Sequence, residues 1–310
     1  MDGMRVMKYL RLKPGRFIQR LCSTLILEER ITIASAAALN LLVLASLKIG
    51  LAWDIFGLNI LIILVIFGVA SFHRHVGRTW MQFFRDWYVP IFLFVIFLEN
   101  RRLVPLINPL DLDTLLIGID RLFFLGRDPT LLMERITCPA LSEFLQLVYT
   151  SFYFLPLVLC VIMYFKQGDR TEFHIAASSI LAGFYLSYLG YYLTPAIGPR
   201  FTLDHVQTVP LSGMFLFDAL RSTLDQVEGL MRDCCPSGHT AISLLSALLA
   251  GRYAPRFFPA ACIWSATIVF SSVYLRYHYV VDLMAGAALG CLVYRFAPGI
   301  AARLILKGNS

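Results

Sequence analysis

Two stretches of this sequence combine residue types that do covalent chemistry. One is RDCCPSGHT, residues 232–240, and the other is YLRYHYVVDLMAG, residues 274–286. In the first, Pro236 suits the residue before a helix, Ser237 is a preferred N-cap, and the apolar run TAISLLSALLAG follows. The amides of Gly238, His239 and Thr240 would then point out of the helix start, where the dipole favours an anion. In the second, His278 and Asp282 are four apart, which on a helix puts the carboxylate one turn from the imidazole. Asp282 would hold one ring nitrogen protonated and leave the other as nucleophile or base. A third stretch, YYLTPAIGPRF at 191–201, ends a helix with Pro195, Gly198 and Pro199 and offers Arg200, whose planar fork suits an anion. Two histidines, a carboxylate, an arginine and an amide nest are the parts of phosphoryl transfer: a nucleophile, an acid for the leaving oxygen, and positive charge around the equatorial oxygens. Each part also has a plainer reading. A capped helix can carry an incidental histidine, an Asp–His pair can close a helix end, and an arginine can touch lipid headgroups.

The elements that must bring these parts together are membrane helices. Of 310 residues 58% are apolar and 15% charged, and mean hydropathy is +0.70, against about half apolar and a quarter charged in a soluble domain. The reading is an all-α, polytopic transmembrane helix bundle of about eight spans, near 31–50, 58–72, 87–100, 146–165, 174–194, 239–252, 258–276 and 279–297. No large soluble domain fits between them. The net charge of +7 does not indicate nucleic acid, because the basic residues sit at the ends of apolar runs. With both termini cytoplasmic, the inner segments hold 17 Lys/Arg against 6 Asp/Glu and the outer ones 9 against 14. This orientation puts His239, His278 and Arg200 on one extracytoplasmic face. The basic N-terminus precedes an apolar run that begins at residue 31 and is longer than a signal-peptide core, so it is read as a retained span.

Residues 103–145 interrupt their apolar runs with Asp111, Asp113, Asp120, Arg121, Arg127, Asp128, Glu134 and Arg135, as amphipathic helices on the outer surface do. Such a segment is a platform over the bundle or a gate for lipid. Tyr185, Tyr188, Tyr191 and Tyr192 form a helical stripe that is either the lining of a headgroup path or, as is usual for tyrosines near an interface, a set of anchors. His73, His75 and His174 fall on the inner side and are expected to bind no ligand. Seven cysteines leave open one bridge from Cys138 to Cys234 or Cys235. No Cys/His cluster has zinc spacing and there is no P-loop; the chemistry is expected to need no metal or cofactor.

PSGH followed by HYVVD, with an arginine after the preceding span, resembles the type 2 phosphatidic acid phosphatase superfamily, which includes the vanadium haloperoxidases. Within it GPRF, CPSGHT, YHYVVDLMAG, DRLFFLGRDPT and QLVYTSFYFLPL are most similar to the inositol phosphorylceramide synthase branch, whose members move phosphoinositol from phosphatidylinositol to ceramide. The resemblance implies a six-helix core formed by the last six spans. Residues 1–86 would then be a basic N-terminus with two additional helices, 87–297 the catalytic core, and 298–310 a cytoplasmic tail. It further implies that His278 attacks phosphorus, Asp282 orients it, His239 protonates the leaving oxygen, and Ser237, Gly238 and Arg200 bind phosphate. Where the phosphatase pattern has a lysine and an arginine this chain has Leu193 and Ser272; Arg276 is a candidate for one lost charge. The implied partners are membrane lipids, as donor and acceptor. The open alternatives are a lipid phosphatase and a non-catalytic lipid-binding or transport protein.

Overall fold

The computed structural model describes residues 24–46, 49–166, 168, 170–227 and 232–308. The basic segment 1–23, with Cys22, lies outside the described residues. All regular structure among those described is helical. In chain order the helices are α1 (Leu27–Ala45), α2 (Trp53–Val76), α3 (Thr79–Trp87), α4 (Val89–Ile107), α5 (Asp113–Phe123), α6 (Pro129–Met133), α7 (Pro139–Thr150), α8 (Phe154–Tyr164), α9 (Thr171–Leu193), α10 (Pro199–Thr202), α11 (Phe217–Val227), α12 (Gly238–Tyr253), α13 (Phe258–Tyr274) and α14 (Val280–Gly308). A helix stands at each of the eight expected spans, with α7 and α8 joined by a single 3-10 turn into one rod. Among the described residues, four helices are long and apolar enough to cross a membrane: α2, α7–α8, α9 and α14. α14 continues to Gly308 through Pro298, so most of the expected tail prolongs the last helix.

α9 is the axis of the fold. One side of it joins α7–α8, α12, α13 and α14 in one apolar cluster, and the other joins α1, α2 and α4 in a second. The tyrosine stripe packs into that second cluster, and Tyr188 and Tyr191 also line the cavity described below. All four rings are nearly fully buried; the Tyr185 hydroxyl donates to Thr32 Oγ1 at 3.1 Å and that of Tyr192 to Asn100 Oδ1 at 2.8 Å. Burying four phenols in hydrocarbon demands such partners.

Polar groups also tie the N-terminal helices to α3 and α9 at the end of the bundle away from His278. Glu29 caps α1 by accepting from Ile26 N at 2.9 Å and takes a bidentate pair from Arg85 at 2.8 and 2.7 Å. His174 Nδ1 lies 2.9 Å from Glu28, and Arg170 reaches Asp86 at 2.8 Å. His73 Nδ1 lies 3.2 Å from Arg85. His73 and His174 therefore stand in a buried ion-pair network.

α12 and α14 cross closely because Gly286 and Gly290 face α12 backbone. A Cβ at Gly286 would lie 2.3 Å from the Ser237 carbonyl oxygen, and one at Gly290 would lie 2.6 Å from that of Ala241. Small residues four apart let membrane helices approach to backbone contact. That crossing sets the spacing between the two chemical motifs.

Candidate active site

Ser237 is the N-cap of α12: it is fully buried, and its Oγ accepts from Thr240 N at 3.2 Å. Gly238 follows, and a Cβ there would sit 2.8 Å from the Tyr191 hydroxyl, which would have to shift. His239, in the first turn, packs face to face on Tyr149 at 4.4 Å and against Phe152 at 4.3 Å. Its Nδ1 shares a hydrogen bond with the Tyr149 hydroxyl at 3.3 Å, which leaves Nε2 for chemistry.

His278 does not sit on a helix with Asp282. After α13 the chain turns through Arg276, a non-glycine residue at φ 68°, so that Tyr277 N and His278 N both donate to Ser272 O, at 2.9 and 3.1 Å. α14 begins only at Val280. The pair forms nonetheless: His278 Nδ1 lies 3.2 Å from Asp282 Oδ1 and 3.1 Å from the Cys234 carbonyl oxygen. The Cys234 carbonyl oxygen can only accept, so Nδ1 carries the proton and Nε2 is the basic nitrogen. Asp282 is itself fixed by Tyr279 N at 3.0 Å and by the Cys234 thiol, which donates to Oδ2 at 2.7 Å. The imidazole rings of His239 and His278 stand 5.6 Å apart, and both line one cavity of about 340 Å³.

Arg200 lines the same cavity, with its guanidinium forked onto the Asp225 carboxylate. Gly198, two residues earlier, has φ 108°, and a Cβ there would meet the Tyr277 carbonyl oxygen at 2.9 Å. The turn that delivers Arg200 therefore needs glycine. Arg276 is placed apart from the other site residues. Its guanidinium bonds Gln207 Oε1 at 2.8 Å, Glu134 Oε1 at 3.1 Å and Val209 O at 2.5 Å, and it does not line the cavity. Leu193 points outward and is largely exposed, while Ser272 is buried behind the His278 turn.

Four contributors escaped the sequence reading. Asp113 on α5 accepts from Gly198 N at 2.8 Å, Ile197 N at 2.9 Å and the Tyr279 hydroxyl at 2.8 Å. Asp120, two turns along the same face, accepts from Val280 N at 2.9 Å and Val281 N at 2.8 Å and so caps α14; burial pushes its carboxyl up. The amphipathic segment is thus a clamp on two site loops. Cys234 holds Asp282 and is not bridged; Cys138, Cys234 and Cys235 are all free thiols. Asp233 lines the cavity beside the histidines, and burial pushes its carboxyl up to about 7 against the opposing effect of His278. Only the vicinal cysteines gave a sequence signal, and it suggested a bridge.

Cys234, His278 and Asp282 place potential ligand atoms within 4.8 Å of one another. A metal takes thiolate, whereas burial and Asp282 push the Cys234 thiol well up and its proton is donated to that carboxylate. The donor set fits an orienting hydrogen-bond cluster and fits a cation poorly.

The arrangement is a pair of histidines beside a helix start at the end of an apolar cavity in a helical membrane bundle. The chain belongs to the PAP2 superfamily, whose sequence profile matches residues 114–296. A PA-phosphatase related-family protein of Dictyostelium discoideum is 30% identical over 105 residues, covering 32% of this chain and 19% of that protein. The match therefore spans about a fifth of that relative's length. No solved structure matches significantly.

Proposed function

We propose that this protein is a membrane enzyme that moves a phosphate-linked headgroup from a phospholipid to a lipid hydroxyl through a phosphohistidine. The observation that carries the reading is the pair of histidine rings 5.6 Å apart at the end of the apolar cavity, with Asp282 on Nδ1 of one of them. His278 Nε2 attacks phosphorus and the bond to the leaving oxygen breaks. His239 supplies the proton that this oxygen takes. In the second half the acceptor hydroxyl gives its proton to His239, its oxygen attacks phosphorus, and the nitrogen–phosphorus bond breaks. Arg200 and the amides of Gly238 and His239 hold the equatorial oxygens, since the Ser237 and Thr240 amides are already bonded to Asp282 O and Ser237 Oγ.

Transfer is favoured over hydrolysis by the scarcity of positive charge. Leu193 and Ser272 are neutral, Arg276 is committed to Glu134, and Arg200 is the arginine among the cavity's described lining residues. One arginine with an amide nest suits a singly charged diester better than a doubly charged monoester. Phosphatidylinositol as donor and ceramide as acceptor are the lipids that the motif resemblance suggests. The charge asymmetry of the inner and outer segments supports cytoplasmic termini and an extracytoplasmic site.

The relative's name, PA-phosphatase related-family protein, supports a second reading in which water resolves the intermediate. Purified protein in mixed micelles with phosphatidylinositol or phosphatidic acid, with and without ceramide or diacylglycerol, separates the two. Transfer consumes a diester only when an acceptor is present. Rapid release of phosphate from phosphatidic acid without acceptor, with no headgroup moving to any alcohol, makes it a phosphatase. A non-catalytic lipid carrier would do neither.

A further inference from the structure

The cavity extends far beyond the histidines. On α9 it is lined by Phe173, Ala177, Ile180, Phe184, Tyr188 and Tyr191, at spacings of three and four that make one continuous stripe. α4 adds Pro90, Leu93, Phe94 and Phe97; the α7–α8 rod adds Phe152, Pro156, Leu157 and Cys160. Two helices thus wall a groove whose bed is the third. From Tyr191 to Phe173 the bed runs about 27 Å at the helical rise, nearly the full hydrocarbon thickness of roughly 30 Å. Phe94 and Leu157, on opposite walls, are half exposed, so the groove opens sideways.

Its inner end is closed and polar. Trp87 packs on Tyr164 at 5.3 Å and on Phe173 at 5.4 Å, joining the walls. Asp86 and Glu28 line the groove there, at the edge of the ion-pair network. Two buried polar atoms in this floor, Glu28 Oε2 and Trp87 Nε1, have no hydrogen-bond partner. Hydrocarbon cannot satisfy either.

We infer that this groove is a measuring slot for one hydrocarbon chain of the lipid substrate, with its phosphate at His278 and its chain end stopped by the Glu28–Trp87 floor. The inference rests on the reading that the site takes a lipid phosphate. Bilayer and groove are equally apolar, so a short chain loses only packing contacts on moving between them. A chain longer than the slot must buckle or press methylenes against charged groups. Selectivity is therefore one-sided, shallow for short chains and steep above a cut-off. Ala177 lies one turn above Phe173, so a bulky side chain there shortens the slot by about 6 Å.

The test has two arms, both on the full chain. A phosphatidic acid probe carrying a diazirine at one chain terminus is photolysed in phosphatidylcholine vesicles, with wild type and with His278→Ala. Adducts are expected on the peptides holding Trp87, Cys160 and Phe173. Adducts confined to bilayer-facing positions such as Ile263 and Leu292 would overturn the slot. In the second arm, turnover of donors of increasing chain length should show Ala177→Phe moving the cut-off to shorter chains, with a loss of about tenfold or more at the longest. The bilayer-facing Ile263→Phe should leave the profile in place. An unchanged profile in a folded Ala177→Phe also refutes the inference. If no lipid is turned over by wild type, the proposed reaction falls, while the adduct pattern still decides the slot.

Discussion

Gly286→Ala isolates the spacing between the two motifs, because no catalytic group is touched. The added Cβ would lie 2.3 Å from Ser237 O and 3.2 Å from Ser237 Cβ, where ordinary contact starts near 3.4 Å. Relief requires α14 and the Ser237 cap to separate by about 1 Å. The same cap is joined to α14 by Ser237 N donating to Asp282 O at 3.1 Å, so the separation stretches that bond and moves Asp282 and His278 away from His239. A displacement of about 1 Å in a reacting pair costs on the order of a hundredfold in rate, and overpacking of this kind costs about 1–3 kcal/mol of stability. The assay is kcat on a lipid donor in micelles, beside a thermal melt. Gly299→Ala, at a site with nothing within 4 Å, is the matched control. A folded Gly286→Ala within about threefold of wild type would show that the α12–α14 crossing does not set the catalytic distance.

Arg200→Ala should weaken vanadate inhibition by about tenfold or more, since a charge-assisted hydrogen bond contributes about 1.5–3 kcal/mol. Asp225→Asn, which releases the same guanidinium, should strengthen it; a weaker effect in both would show that Asp225 positions Arg200. Because burial pushes Asp233 up to about 7, its carboxyl ionises as pH rises through that value, and tungstate binding measured calorimetrically should weaken over the same window. Asp233→Asn should remove that step, and persistence of the step would assign it to another group. The same shift makes the Asp233 contribution to stability fall as pH rises from about 4 to about 7, since the folded state there binds the extra proton. Cys234→Ala removes one of the two donors holding Asp282 Oδ2; kcat should fall while KM stays, and Cys234→Ser should recover part of it.

The pattern of apolar runs placed a helix at each of the eight expected spans, and four of these have the length and apolarity that hydrocarbon thickness imposes and a sequence window can measure. Ser237 as N-cap and the His278–Asp282 pairing were legible for a similar reason, since both are local. The pairing held although the helix expected to carry it did not: the Arg276 turn puts His278 ahead of α14, and Asp282 reaches back from the first turn. What stayed hidden is long-range. Asp113 and Asp120 looked like the polar face of a surface helix, and their role depends on backbone amides some eighty and one hundred and sixty residues later. The tyrosine stripe had the composition of an interface belt, and only the packing of α1 and α4 against α9 makes it a buried seam. Arg276 looked available for phosphate because nothing local reveals that Glu134 and Gln207 hold it.

Mapping the covalent intermediate tests the central claim most directly. Wild-type protein is incubated with a phospholipid donor and no acceptor lipid, quenched in base, and digested for mass spectrometry. Expected is an acid-labile phosphoryl adduct on His278, carrying the headgroup if the donor is a diester and absent from His278→Ala. Turnover by the wild type accompanied by an adduct on any other residue, or His278→Ala retaining substantial turnover, would contradict it.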